Sequence, residues 1–217
     1  MRTQRFMDVE LEVAPGALVP RAETEILGRR ALALVAGIAA PRIVDMCCGS
    51  GNLACAIAAA MPTALVWGSD LTDETVALAR RNVVRLGLAE RVTIGQGDLF
   101  AGLDGFGLEG TLDLIVANPP YISTGRLKGE SAHLLDEEPR EAFDGGPYGI
   151  AIHQRLVREA APWLKPGGRL AFEFGAGQDR QVSALVARAK AWAPIDFVAD
   201  GDGLPRVAVL TKPASAA

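Results

Sequence analysis

The chain has 217 residues, 49% hydrophobic and 22% charged, with a formal net charge of −4. That is enough apolar material for one buried core, too much for a disordered chain, and there is no clustering of Lys and Arg to form an extended nucleic-acid surface. The N-terminus MRTQRFMDVE has no apolar signal-peptide core and the run Ala31–Ala40 is too short to span a bilayer, so no membrane role and a cytoplasmic location are expected.

Residues 6–13, FMDVELEV, alternate in part and predict an edge hairpin leading to Pro15-Gly16. Residues 1–20 are therefore read as an N-terminal hairpin segment and 21–217 as the main domain. A helix is predicted from Glu23 to Ala39, stopped by Pro41, then a strand at Ile43–Cys47 and a helix at Asn52–Met61, stopped by Pro62. A second strand, Ala64–Ser69, ends at Asp70. Thr72 can cap the next helix, with Asp73 and Glu74 near the positive end of its dipole. Strands follow at Val92–Gln96 and Leu112–Ala117. Residues 122–149 form the longest irregular stretch, a length that marks function or mobility.

Beyond it, Leu156, Val157, Ala160, Ala161 and Leu164 trace a helix face that ends at Pro166-Gly167-Gly168, and Arg169–Phe174 reads as a strand. A stripe from Val182 to Trp192 predicts another helix, and Ile195–Ala199 with Arg206–Thr211 a closing hairpin. Strands alternating with helices imply an α/β fold: a Rossmann-like, doubly wound, seven-stranded, mostly parallel sheet in which one of the last two strands runs antiparallel. Ligands of such sheets bind beyond the carboxyl ends of the strands. Those ends carry Asp45, Asp70, Asp98, Asn118 and Glu173.

Cys47, Cys48 and Cys55 are odd in number and have no His cluster beside them, so neither a disulfide framework nor a metal site is expected. Asp45-Met46-Cys47-Cys48-Gly49-Ser50-Gly51 follows the first core strand and opens a helix. Glycines there let backbone approach a ligand, and a helix N-terminus offers free N–H groups. Asp70 lies where an acid binds ribose hydroxyls. The pattern alone does not separate a dinucleotide from S-adenosylmethionine. Two acids favour the latter: Asp45, placed to attract an ammonium or order the loop, and Asp98, placed to accept from an adenine amino group. The candidate cofactor set is Asp45, Cys48, Gly49, Gly51, Asn52, Asp70, Leu71, Asp98, Leu99 and Asn118. The plainer alternatives are a tight strand–helix turn and a turn aspartate.

Asn118-Pro119-Pro120-Tyr121 follows the fourth strand. This resembles the signature of class I methyltransferases that alkylate planar nitrogen. Such a nitrogen needs its hydrogens held and its lone pair aimed, and positioning of this kind is worth roughly 7–11 kcal/mol. Asn118 offers a side-chain carbonyl, Pro119 a rigidly presented backbone carbonyl, and Tyr121 a flat wall. Further segments in order, Val19-Pro20-Arg21-Ala22-Glu23-Thr24-Glu25, Gly97-Asp98-Leu99-Phe100, Glu138-Pro139-Arg140, Asp144-Gly145-Gly146-Pro147-Tyr148-Gly149 and Leu164-Lys165-Pro166-Gly167-Gly168, are similar to the HemK-type protein-(glutamine-N5) methyltransferases from about residue 8 to 210.

The resemblance implies S-adenosylmethionine as methyl donor, S-adenosylhomocysteine as product and a peptide release factor, through the Gln of its GGQ motif, as partner. It also places Arg21 and Glu23 at the active-site edge. The family carries an N-terminal helical domain that helps dock the release factor. This chain starts almost at the hairpin, so that domain is expected to be missing. Ala22 stands where proline is usual, Cys47-Cys48 where Gly-Thr or Cys-Thr is typical, and His153 where an aromatic ring is common. His133, His153 and Glu173 read as structural, and Asp136-Glu137-Glu138 as a solvated loop face. Rival readings are an N-methyltransferase of a nucleobase or small metabolite, a non-catalytic S-adenosylmethionine-binding module, and a nicotinamide dehydrogenase, which leaves Asn118–Tyr121 unexplained.

Overall fold

A computed structural model describes residues 2–136 and 138–214. Glu137, the middle of the acidic run, lies outside the described residues. The chain begins with two antiparallel strands, β1 (Arg2–Phe6) and β2 (Val9–Val13), joined at Met7-Asp8. They form their own two-stranded sheet and lie outside the main one. The predicted edge hairpin is thus longer than residues 6–13 and is not an edge of the core sheet. The cause is its apolar face: Phe6, Val9 and Leu11 are buried with the helices that cover the sheet, so the hairpin packs on helices and leaves the sheet edge alone.

The main sheet contains β3 (Arg42–Met46), β4 (Leu65–Asp70), β5 (Val92–Gln96), β6 (Leu112–Ala117), β7 (Leu164–Glu173), β8 (Asp196–Ala199) and β9 (Pro205–Thr211), in the order β5-β4-β3-β6-β7-β9-β8. Strands β5, β4, β3, β6 and β7 pair parallel, while β9 pairs antiparallel with both neighbours. The chain moves outward from β3 through β4 to β5, then returns to β6 on the other side of β3. That reversal opens a crevice at the carboxyl ends of β3 and β6.

Alternation along the strands divides the core in two. Ile43, Leu114, Val116, Ala171 and Val209 face α1 (Glu25–Val35), α2 (Asn52–Ala60), α3 (Asp73–Arg85) and the hairpin. Val44, Ile115, Leu170, Phe172 and Leu210 face α5 (Ala151–Glu159) and α6 (Asp179–Ala189). The short α4 (Thr124–Leu127) lies in the long connection after β6. Both sheet faces are therefore covered, as a parallel sheet requires.

Helix α1 differs from expectation at both ends, stopping at Val35 instead of Ala39, and α5 differs at its end. Helix α1 starts at Glu25 after a 3₁₀ turn at Ala22–Thr24, and α5 stops at Glu159 before a 3₁₀ turn at Ala161–Trp163. Pro162 has no N–H to extend α5. Leu164 therefore belongs to β7, which runs from there through Gly167-Gly168. Beside β5, a Cβ on Gly95 would lie 1.9 Å from the Gly102 carbonyl oxygen. Glycine at that point lets the 3₁₀ segment Leu99–Leu103 pack directly on the strand, which brings Leu99 to the crevice.

Candidate active site

The first wall is the loop between β3 and α2. Cys47, Gly49 and Gly51 all have positive φ (58°, 53° and 77°). A side chain on Gly49 would enter open space, whereas one on Gly51 would meet Ala79 Cβ at 3.3 Å. Gly49 therefore keeps the ligand side clear, and Gly51 lets α2 approach α3. The loop is tied to β4 by the Cys48 amide donating to the Ser69 carbonyl (3.1 Å) and the Gly49 amide donating to Asp70 Oδ2 (2.7 Å). Asp70 Oδ1 also accepts from the Leu71 amide and the Thr75 hydroxyl, each at 2.8 Å. Three donors fix the Asp70 carboxylate and leave it a remaining lone pair on Oδ2.

Asp45 lies under this loop. It is buried, its Oδ2 accepts from the Ala54 amide (2.9 Å), and its Oδ1 has no partner among the described residues. Burial pushes its carboxyl up to about 8, against the Ala54 hydrogen bond, with the Asp70 charge adding to the rise. Of the two roles offered for Asp45, its hydrogen bond is the loop-ordering one. Asp98 closes the opposite side, bound at 2.8 and 3.0 Å by both oxygens to Arg155 Nη1. Burial also raises all three thiols, Cys55 to about 12. They are neutral at physiological pH, and no group of metal-binding side chains occurs among the described residues.

The second wall comes from the far side of the crevice. Asn118 Nδ2 donates to Thr24 Oγ1 at 3.1 Å, and the Tyr121 hydroxyl donates to Glu173 Oε1 at 3.2 Å. Burial raises the Glu173 carboxyl, while the hydroxyls of Thr24 and Tyr121 and the charge of Arg206 hold it back. His153, also buried, pairs its Nε2 with the Glu173 carbonyl at 2.9 Å, and burial lowers it to about 4, so it is neutral and donates. Over the top, Glu138 accepts from the Val19 amide (2.7 Å) and pairs with Arg21. This corrects the solvated reading for Glu138: its side chain is only 9% exposed because it clamps the Val19–Glu25 segment to the long loop. Asp144 accepts from Thr124 Oγ1, the Gly146 amide and Arg140 Nε (2.7, 3.0 and 2.9 Å), which orders the rest of that loop.

Between the walls is a cavity of about 590 Å³, within the range of small-molecule sites. Cys48, Gly49, Asn52, Asp70, Leu71, Asp98 and Leu99 line one side, and Arg21, Asn118 and Pro120 the other. Asp45, Gly51 and Pro119 lie behind the surface. Glu23 is exposed and outside the cavity. Tyr121 is likewise not a wall: its hydroxyl is drawn to the buried Glu173, which requires a donor. Sequence reasoning gave no role to Thr24, Arg155 or Cys47. Thr24 sat within a quoted segment, but only the fold brings it beside Asn118, 94 positions away.

The donor set suits S-adenosylmethionine: open space over Gly49, an unpaired Asp45 oxygen under the loop, a fixed carboxylate at β4 and two leucines flanking the Asp70–Asp98 side. Residues 28–143 match the methyltransferase small domain family. A release factor glutamine methyltransferase of Moorella thermoacetica is 38% identical over 94% of this chain and 70% of its own length. A 4-amino-L-phenylalanine/4-methylamino-L-phenylalanine methyltransferase of Streptomyces pristinaespiralis is 37% identical over 87% of this chain and 64% of its own. Among solved structures, TrmN from Thermus thermophilus superposes with a TM-score of 0.58 at 28% identity, covering 86% of this chain and 48% of that one. The sheet order, the crevice and these likenesses agree, and the chain belongs to the release factor glutamine methyltransferase family, S-adenosylmethionine-dependent enzymes of the HemK type.

Proposed function

We propose that the enzyme methylates the side-chain amide nitrogen of a glutamine presented by a peptide release factor. Asn118 carries this reading. Its Nδ2 is engaged by Thr24, so its Oδ1, which has no partner among the described residues, is the atom left for a substrate at the cavity wall. The next carbonyl in the chain, that of Pro119, also takes no hydrogen bond from the described residues and is the proposed second acceptor, although Pro119 itself is buried behind the cavity wall. Two acceptors match the two hydrogens of a primary amide.

An amide nitrogen is a weak nucleophile because its lone pair is shared with its carbonyl. Holding both N–H bonds stops rotation about the C–N bond and directs what lone-pair density remains along one line. S-adenosylmethionine, when bound, supplies an electrophilic methyl carbon on a sulfonium. That carbon would pass to the held nitrogen, leaving S-adenosylhomocysteine, and the alkylated nitrogen would give up one proton to water. A strong base is not required, because the alkylated amide nitrogen is itself acidic. Asp70, Gly49 and Asn52 would hold the donor's ribose and amino-acid portions, with Leu71, Leu99 and Asp98 at its base. Arg21 and Glu138 keep the roof in place and limit water. Tyr121 acts from behind, fixing the end of the Asn-Pro-Pro turn to Glu173.

The Streptomyces relative is named for an aryl amine, another nitrogen whose lone pair is delocalised, so the same frame can serve a small amine. A labelled methyl donor offered with a release factor, RNA or a small-amine mixture separates the readings. Label on the release-factor glutamine is expected. Label confined to RNA or to the small amines would contradict the acceptor proposed.

A further inference from the structure

We propose that Thr24 is a positioning residue that dictates which way round the Asn118 amide sits, and so keeps its carbonyl oxygen aimed at the substrate nitrogen. The inference rests on the acceptor role given to Asn118 above. Thr24 occupies the helix boundary where a threonine ordinarily caps the first turn. Here it has helical backbone angles and its hydroxyl makes no capping bond. It is 1% exposed, forms part of the cavity wall, and spends its oxygen on Asn118 Nδ2 at 3.1 Å.

The direction of that bond follows from what lies behind it. A hydroxyl has one hydrogen. The acceptor awaiting it is Glu173, whose carboxyl Thr24 helps to hold down and whose buried Oε2 has no hydrogen-bond partner among the described residues. The other oxygen, Oε1, is taken by the Tyr121 hydroxyl. On this proposal the Thr24 hydrogen turns toward that unpartnered Glu173 oxygen, and a lone pair is left to face Asn118. Asn118 must then present its NH₂ to Thr24. Turning the amide over would set Oδ1 against a lone pair and present a donor to the substrate's own donor. Glu173, fixed by β7 and Tyr121, thus sets a polarity that Thr24 relays to Asn118.

The test compares Thr24→Val, which keeps the shape and removes the hydroxyl, with Thr24→Ser, which keeps the hydroxyl. Thr24→Val is expected to lose roughly tenfold to 100-fold in kcat, as for a mispositioned reacting group. Its affinity for S-adenosylhomocysteine should stay within about twofold, since Thr24 only relays polarity. Thr24→Ser should recover most of the loss. A second readout needs no acceptor: the side-chain ¹⁵NH₂ signals of Asn118 should be protected from hydrogen exchange in the native enzyme and the serine variant, and lose protection in the valine variant. Thr24→Ala repeats both measurements if the valine variant does not fold. Equal losses in the serine and valine variants, or an Asn118 amide unchanged by Thr24→Val, would overturn the relay. A native enzyme that leaves the release factor unmethylated would instead overturn the acceptor, while the amide signals would still decide the relay.

Discussion

Asp70 serves three donors with two oxygens: the Gly49 and Leu71 amides and the Thr75 hydroxyl. Asparagine in its place keeps the size but turns one acceptor into a donor, which must face either the Gly49 N–H or the Leu71–Thr75 pair. That costs stability in the free and bound states alike, whereas the acceptor lost to a ribose hydroxyl is felt only on binding and costs roughly 2 kcal/mol, about 30-fold in affinity. We expect Asp70→Asn to weaken S-adenosylhomocysteine binding by that amount in a calorimetric titration; an unchanged Kd would remove Asp70 from the cofactor site.

Asp45 makes a different prediction. Its folded pKa is about 8 against an ordinary 3.8. Between those values the folded chain keeps a proton that the unfolded chain has lost. The contribution to stability is therefore complete below about pH 4 and is lost as pH rises through 8, at up to about 1.4 kcal/mol per pH unit. Asparagine does not titrate, so Asp45→Asn should gain in melting temperature relative to the native protein as pH goes from 5 to 8. His153, lowered to about 4, works in the opposite sense below neutrality but is common to both proteins and cancels in the difference. A difference that is flat with pH would show that Asp45 is not buried as a neutral acid. At this scale the sequence was legible where chemistry and position coincide, as at Asp70 and Asn118. It was not legible at Tyr121, because the partner that turns the ring aside is Glu173, which is 52 residues away.

Among the elements, the hairpin and the glycine loop share one anchor. Asn82, fully buried on α3, accepts from the Glu12 amide (2.7 Å) and donates to the carbonyls of Glu12 and Ser50, both at 3.0 Å. Asn82→Ala would strand three backbone groups, two on half-buried Glu12 and one on buried Ser50. A loss of roughly 2 kcal/mol should lower the melting temperature by about 4–8 °C for a chain of this size. It should also expose the hairpin to limited proteolysis; an unchanged melting temperature and cleavage pattern would contradict the anchor. Periodicity placed the strands β3 to β6 well, because burial on both faces leaves continuous apolar runs there. It misplaced the end of α5, where the apolar spacing runs on past Pro162 into β7. The long connection read only as irregular, since its order comes from single polar residues such as Asp144 and Glu138, which have no period.

In the whole molecule, the reversal of strand order between β3 and β6 brings loops from distant parts of the sequence to one crevice. That much followed from counting strand ends. The roof did not, because it depends on Arg21 meeting Glu138 across 117 positions. The described residues contain no helix long and apolar enough to cross a membrane. The chain spans 70% of the length of its Moorella relative. Methyl transfer as proposed depends on a glutamine amide being held by Asn118. The most direct measurement is tandem mass spectrometry of a release factor incubated with S-adenosylmethionine and either the native enzyme or Asn118→Ala. One methyl group should appear on the side-chain nitrogen of the GGQ glutamine with the native enzyme. It should be nearly absent with the variant, even though S-adenosylhomocysteine still raises that variant's melting temperature. Undiminished methylation by Asn118→Ala, or no methyl group on that glutamine with the native enzyme, would contradict it.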